Sequence, residues 1–342
     1  MSSISALFQN LILLNILMLI KYLQIAVIYS SNQHMQTVLI TGGTGMVGKA
    51  LTATLIEKGY RVIVLTRQMP SQKLVTPNIE YAIWNVNAQT IDMDAVQKAD
   101  HIIHLAGAGV VDKKWTDEYK EEIQKSRTES SKLIINSLKN NFNKVTTVVS
   151  ASAIGWYGED IDKAKLFVET APAANGFLGE TCQLWEQSIQ PVEALNKRLV
   201  ILRTGIVLSN SGGALAEFKK PIRFGVAGII GNGKQVVSWI HIDDLCRLFI
   251  NAIENEKLSG TYNAVAPEPV TNKTLTIALA KKMNGKLFIP VKVPSFVLKI
   301  MLGDRSIEVL KSTSVSCAKI KQTGFTFFFP TIDMALQQLC DT

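Results

Sequence analysis

Three glycines at three-residue spacing, set between a short apolar run and a helical pattern, constrain this chain more than any other feature. Val38–Thr41 reads as a buried strand, and Gly42-Gly43-Thr44-Gly45-Met46-Val47-Gly48 ends it. Lys49–Lys58 then carries helical spacing, with Ala50, Leu51, Thr54 and Leu55 along one side and Gly59 as its stop. Arg61–Thr66 is apolar and β-branched, a second strand. A strand, a glycine turn, a helix and a second strand in about 30 residues make a βαβ unit, which demands a parallel pair of strands and a right-handed crossover.

The rest of the chain extends that unit. His101–Leu105 and Val145–Ser150 read as further buried strands, with a long helix over Lys120–Asn140 between them. Leu199–Arg203 and Gly260–Ala264 read as later strands. Continuous apolar strands alternating with helices predict a parallel sheet covered on both faces. Beyond about residue 205 the texture changes. Glycine-rich loops fall at Ser209–Gly213 and Gly225–Gly233, and Pro267, Pro269, Pro290 and Pro294 punctuate the last third. The fold class expected is α/β, a Rossmann-type doubly wound parallel sheet over residues 35–205. A smaller C-terminal α+β substrate lobe is expected over 206–342, its chain partly returning to the sheet. Ligands in such sheets sit at the carboxyl ends of the strands, so the expected site is a cleft between the two lobes.

Residues 1–34 stand apart. They hold no acid and one lysine, Lys21, and residues 7–29 are almost entirely apolar. About 20 apolar residues can span a bilayer. Gln9, Asn10, Asn15, Lys21 and Gln24 interrupt the run, and no basic region precedes it, which argues against a secretory signal. Met35 lies just before the first strand. The segment is therefore either a membrane anchor or a dispensable extension, and the fold does not need it.

Composition excludes some classes. With 342 residues, 47% of them hydrophobic, the chain can bury a sizeable core and is not disordered. The four cysteines, Cys182, Cys246, Cys317 and Cys340, form no CxxC pair. Neither a zinc ribbon nor a disulfide framework is implied, and reduced thiols in the cytoplasm are the expectation. His34, His101, His104 and His241 show no metal-ligand spacing with the acids. A net charge of +8 favours an anionic partner, including a phosphate-bearing small ligand. No nucleic-acid motif accompanies it.

Gly42, Gly45 and Gly48 suit a dinucleotide. One glycine makes the tight turn, one lets the backbone approach a pyrophosphate, and one lets helix and strand pack closely. Thr44, Met46 and Val47 complete the loop, and the helix start offers free N–H groups to phosphate. An NAD site places an acid at the end of the second strand to hold the ribose hydroxyls. Here that strand ends Thr66-Arg67, with no acid from Lys58 to Ile79. A guanidinium suits a 2′-phosphate, so NADP(H) is expected over NAD(H).

These residues resemble the short-chain dehydrogenase/reductase superfamily, in its extended or atypical branch. Thr41–Gly48 matches the cofactor loop, and His104-Leu105-Ala106-Gly107-Ala108 resembles the fingerprint that lies along adenine and ribose. Arg203–Leu208 and Gly231–Asp244 are similar to the NAD(P)-dependent "epimerase family protein" group of cell-division-inhibitor-like sugar epimerases. Thr323–Phe327, followed by Phe329-Pro330, resembles that group's small terminal domain. The resemblance covers about residues 35–340. It implies cofactor roles for Thr66, Arg67, Leu105, Ala106 and Gly107. It also implies one for Arg127, which stands where better-known relatives carry an Asn; the alternative there is a solvated helix residue.

The resemblance also implies a catalytic Ser and a Tyr-x-x-x-Lys pair, the lysine tuning the phenol as acid–base. No Tyr-x-x-x-Lys exists after the opening segment. Aligned on Glu186, Leu178 falls at the Tyr position and Cys182 at the Lys position. Ser152, in Ser150–Gly158, best matches the substrate-polarising serine, and Tyr157 is the nearest phenol that could replace the lost acid. Arg203, Trp239 and His241 are candidates for the substrate cleft. Asp243 or Asp244 reads as the N-cap of a helix over Leu245–Glu254. The readings that follow are an NADP(H)-binding oxidoreductase or epimerase acting on a polar small molecule, for instance a sugar nucleotide, and a non-catalytic NADP(H) sensor or scaffold.

Overall fold

The apolar runs form one sheet. The computed structural model describes residues 35–70, 77–160, 165–306 and 310–341. The apolar run at 7–29 lies outside the described residues. Residues Thr37–Thr342 form one compact unit. In chain order the sheet strands are β1 (Thr37–Thr41), β2 (Arg61–Thr66), β3 (Ile79–Asn85), β4 (Thr90–Ile91), β5 (His101–His104), β6 (Thr147–Ala153) and β7 (Arg198–Thr204). Next come the short strands β8 (Ile206–Leu208), β9 (Val226–Ile230), β10 (Val236–Val237) and β11 (Trp239–His241). β12 (Gly260–Ala264), β13 (Val270–Thr271) and β14 (Ile289–Val293) complete the set.

Eight of these strands join in the order β12-β7-β6-β5-β1-β2-β3-β4. Every pairing is parallel except β3 with β4, an antiparallel edge. The chain runs outward from β1 to β4 on one side, then crosses to β5 on the other. The strand order therefore reverses between β1 and β5, and the crevice opens at their carboxyl ends. In register there lie Thr41, Leu65, His104 and Ser150.

Ten helices are used below: α1 (Met46–Glu57), α2 (Met93–Lys98), α3 (Asp117–Asn140), α4 (Phe177–Ile189), α5 (Gly213–Ile222), α6 (Ile242–Glu254), α7 (Asn272–Asn284), α8 (Ser295–Leu302), α9 (Ala318–Gln322) and α10 (Ile332–Asp341). On one face of the sheet α1 and α6 bury Leu51, Leu55, Leu245 and Phe249 against Val38, Ile40, Val62 and Val200. On the other, α2 and α3 bury Val96, Leu133 and Ile134 against Leu39, Ile63 and Ile102. Alternate residues of β1 thus serve opposite layers, as a strand buried on both faces requires.

A third core gathers Leu208, Leu215, Trp239, Leu275, Leu279, Ala335 and Leu336 from the C-terminal region. Its strands make three small ribbons: β8 with β11 and β9 with β14 in parallel, β10 with β13 antiparallel. Among the described residues no helix is long and apolar enough to cross a membrane.

One local expectation is corrected. Helix α6 starts at Ile242, and its N-cap is His241, whose ring Nδ1 accepts from the Asp243 N–H at 3.1 Å. Asp243 and Asp244 sit in the first turn instead. Asp244 is fully buried and accepts the backbone N–H groups of Phe328 and Phe329 at 2.8 and 2.9 Å. Arg247 donates to the same carboxylate at 2.8 Å. Asp244 therefore clasps the segment leading into α10 to the sheet layer.

Candidate functional site

The glycine loop is built by close approach. Gly42 adopts φ +69°, a left-handed conformation that glycine tolerates without strain. A Cβ at Gly42 would lie 2.9 Å from the Leu105 carbonyl carbon, so the loop rests on the end of β5. At Gly48 a Cβ would overlap the Gly42 carbonyl oxygen and lie 2.5 Å from the Gly43 Cα, which lets α1 sit directly on the turn. Helix α1 starts at Met46 with Gly45 as N-cap and no side-chain cap. Its first turn holds no acid. The N–H groups of Met46, Val47 and Gly48 are among those an α-helix leaves without intrahelical partners, and Thr44, next to them in the loop, is exposed. A cradle of this shape, with a positive helix end and no competing carboxylate, fits a pyrophosphate.

A buried relay braces the loop. The Thr41 hydroxyl accepts the N–H groups of Leu105 and Ala106, both at 3.1 Å. Its own proton then goes to His104 Nδ1, 2.7 Å away. With Nδ1 accepting, Nε2 carries the ring proton and faces the Ser131 hydroxyl at 3.2 Å. Ser131 in turn donates to the Arg127 carbonyl at 2.9 Å. Burial first, and the nearby Arg127 charge second, push the His104 pKa down to about 3. The imidazole is a neutral strut that fixes the ends of β1 and β5.

Thr66 and Arg67 end β2, next to the loop. The Thr66 hydroxyl bonds the Gln68 carbonyl at 2.8 Å, turning the chain. Arg67 is exposed, and no carboxylate pairs with it among the described residues. Gly107 lies over Arg127, where a Cβ would fall 2.9 Å from the guanidinium carbon. Arg127 itself is buried. Its Nη1 donates to the carbonyls of Ala108 and Ile123 at 3.0 and 2.9 Å, and the group lies 4.9 Å from the Trp185 ring centre. It is neither a solvated helix residue nor an open phosphate contact; the helix that carries it tucks it beneath the 105–109 turn.

The catalytic candidates meet in a polar core. Ser152 donates to Glu186 Oε1 at 2.6 Å. Arg203 grips the same carboxylate with two bonds, 2.8 and 2.9 Å. Arg203 Nη1 also donates to the Tyr157 hydroxyl at 3.0 Å, and that hydroxyl donates to Asn263 Oδ1 at 2.7 Å. Tyr157 is wholly buried and stacked on Phe167, and burial raises its pKa. Sequence reasoning found Ser152, Tyr157 and Arg203. It used Glu186 only as an alignment point and missed Asn263. The geometry joins all five and makes Arg203 a structural cation, shielded above by the Trp156 ring at 3.6 Å.

Helix α4 carries Leu178 and Cys182 toward the end of β6, within 3.3 and 3.5 Å of where a Gly155 Cβ would be. Burial, with Glu186 adding to it, raises the Cys182 thiol to about 11, so it is no thiolate. Trp239 and His241 are buried rather than lining an opening. The Trp239 indole donates to the Glu268 carbonyl, and His241 packs 3.9 Å from the Phe329 ring with Nε2 3.0 Å from Gln338. The C-terminal region reaches the cofactor loop elsewhere. A Cβ at Gly213 would lie 3.3 Å from the Met46 sulfur, so Met46 touches the Ser209–Gly213 turn. Among the described residues no cluster of three metal-ligating side chains occurs.

Comparison with known proteins places this geometry. The sequence profile of the NAD dependent epimerase/dehydratase family matches residues 38–264. A domain of unknown function, DUF1731, matches residues 293–339. An epimerase family protein of Staphylococcus saprophyticus is 35% identical over 307 residues, covering 89% of this chain and 99% of that protein. A human epimerase family protein solved with NADPH superposes with a TM-score of 0.77 at 26% identity, over 90% of this chain and 100% of that one. A nucleoside-diphosphate sugar epimerase of Corynebacterium glutamicum superposes with a TM-score of 0.70 at 31% identity, over 90% of this chain and 58% of that one.

Proposed function

The chain belongs to the NAD dependent epimerase/dehydratase family, and from that premise we propose that it is an NADP(H)-dependent oxidoreductase or epimerase acting on a polar small molecule, with a sugar nucleotide as the first class to test. The observation that carries the cofactor reading is the uncapped start of α1 beside an exposed Arg67 that pairs with no carboxylate among the described residues. Gly42, Gly45 and Gly48 with the N–H groups of Met46 and Val47 would hold the pyrophosphate. Thr66 and Arg67 would hold the phosphorylated ribose, and Leu105, Ala106 and Gly107 would lie along adenine and ribose. Arg127 supports that last wall from beneath. The human relative solved with NADPH is consistent with this assignment.

When bound, the nicotinamide supplies a hydride acceptor or donor for a carbinol or carbonyl carbon. What this chain's residues do beside it follows from their bonds. Ser152 has its proton committed to Glu186, so it presents lone pairs and can accept from a substrate hydroxyl. Tyr157 has both its lone pair and its proton engaged inside the core. We therefore assign proton exchange to water at the crevice mouth and give Tyr157 a positioning role for Arg203. A cytoplasmic location accords with the four unpaired cysteines, three of them buried.

A second reading is an NADP(H)-binding sensor without turnover. Leu178 and Cys182 favour it, because neither can move a proton at neutral pH. One experiment separates the two. Purified protein is titrated with NADPH and NADH by fluorescence, then incubated with carbonyl compounds and sugar nucleotides while nicotinamide absorbance and product epimers are followed. Turnover that Ser152→Ala abolishes with binding intact supports the enzyme. Tight NADPH binding with no turnover on any substrate supports the sensor. Absence of binding to either dinucleotide defeats both.

A further inference from the structure

The β9–β14 ribbon presents an apolar face outward. In its parallel register Val226 pairs with Ile289, Gly228 with Val291 and Ile230 with Val293. Paired residues share a face, and positions two apart return to it. Ala227 and Ile229 point the other way and are buried, with β9 packed on α7. The outward face thus carries six positions with no polar side chain. Ile289 is 69% exposed and Val291 42%. The Ile289 N–H bonds the Gly225 carbonyl at 2.8 Å, which brings Phe224, 87% exposed, to the ribbon's start beside Leu287, 83% exposed.

Charge around this face is one-sided. Residues 218–242 and 269–303 contain no Asp or Glu and ten Lys or Arg. Elsewhere the chain carries 28 acids against 26 Lys and Arg, so the whole positive surplus belongs to these two stretches. The fold brings them together, because β9 lies in the first and β14 in the second. Arg223 and Lys286, at the ribbon's start beside Phe224 and Leu287, are exposed and pair with no carboxylate among the described residues.

We infer that this ribbon docks on an anionic lipid bilayer, its aliphatic side chains entering the headgroup–acyl boundary and its cations meeting lipid phosphates. A bilayer offers apolar and anionic chemistry side by side, which this face requires. A second copy does not fit, since two acid-free faces repel. Strand addition does not fit either. Ile289 donates toward β9, so the outward-donating position next to it is Pro290, which has no N–H. Single-stranded nucleic acid stacks successive bases on rings, and beyond Phe224 at its start this face is aliphatic, with Leu287, Ile289 and Val291.

The test uses the full chain with phosphatidylcholine vesicles, with and without phosphatidylglycerol, in a flotation assay. The parent protein floats with phosphatidylglycerol vesicles and is released by salt. Arg223→Glu with Lys286→Glu weakens partitioning on the order of tenfold or more, and Leu287→Ser with Ile289→Ser does so as well, each with an unchanged unfolding midpoint. The inference is overturned if both double variants float as the parent does, which would assign binding to residues 7–29. It is overturned equally if pure phosphatidylcholine serves as well, or if the parent stays unbound. Loss in the variants of a parent dimer or of oligonucleotide binding, without any effect on vesicles, also overturns it.

Discussion

Ser152 and Arg203 hold the same carboxylate oxygen of Glu186 from two sides, at 2.6 and 2.8 Å. The hydroxyl on β6 is oriented by a cation on β7, through an acid on α4. Removing that acid should therefore cost stability before it costs chemistry. Glu186→Ala leaves Arg203 buried without a counter-charge, and unfolding in denaturant should lose about 3–5 kcal/mol. Glu186→Gln keeps an acceptor for Ser152 and should lose less. Equal losses in the two variants would show that the charge opposite Arg203, not side-chain volume or the acceptor for Ser152, carries that stability.

Gly48→Ala should disable the cofactor loop. The added Cβ would overlap the Gly42 carbonyl and press on Gly43. Neither is a flexible side chain, so the turn itself must move. Displacing the helix N–H groups from the pyrophosphate should weaken NADPH at least about tenfold, on the order of 1.4 kcal/mol. Fluorescence titration measures it.

Arg67→Asp should exchange cofactor preference. Charge-assisted hydrogen bonds contribute about 1.5–3 kcal/mol, so NADPH affinity should fall roughly 10- to 100-fold. NADH should bind better than in the parent, since the new carboxylate can accept from ribose hydroxyls. An unchanged ratio of the two affinities would remove Arg67 from the site.

His104 gives stability a pH dependence of definite sign. The folded protein keeps it neutral down to about 3, while the unfolded chain protonates it near 6.5. Between these values the unfolded state binds the extra proton. Stability contributed by the neutral ring is full above 6.5 and lost as pH falls, at up to about 1.4 kcal/mol per pH unit. His104→Asn should flatten the slope of unfolding free energy between pH 6 and pH 4, read from denaturant curves at each pH.

Thiol labelling should separate the cysteines. Burial raises Cys182 to about 11 and Cys246 to about 12. Cys317 is buried as well, and Cys340 is the half-buried one. In native protein at pH 8 an alkylating reagent should modify Cys340 first, with all four reacting only after unfolding. Rapid native labelling of Cys182 would reinstate it as a nucleophile.

Local features were readable from sequence, and face-to-face features were not. The glycine loop depends on residues within one βαβ unit, so its spacing announced both the turn and the start of α1. Parallel strands announced themselves as unbroken apolar runs. Arg203 and Glu186, in contrast, are 17 positions apart on different elements, and only the packing of α4 on β6 and β7 pairs them. The α6 cap escaped because an imidazole is not among the usual capping groups. Asp244 was noticed for its place at a helix start, yet its partners lie 84 and 85 residues away. The two acid-free stretches are plain in the sequence, but α6 and β12 separate them, and only the β9–β14 pairing makes one surface of them.

The Asp244 clasp sets an order on synthesis. The sheet closes with β12, which ends at Ala264, so the chain made by then holds every strand of the larger core. The third core waits for Ala335 and Leu336, and Asp244 waits for Phe328 and Phe329. A growing chain folds from its N-terminal side as it emerges. Trp239, Leu275 and Leu279 therefore lack part of their cover until the chain through Leu336 has been made, and a product cut before Ala335 would leave the ribosome with that part of the third core open.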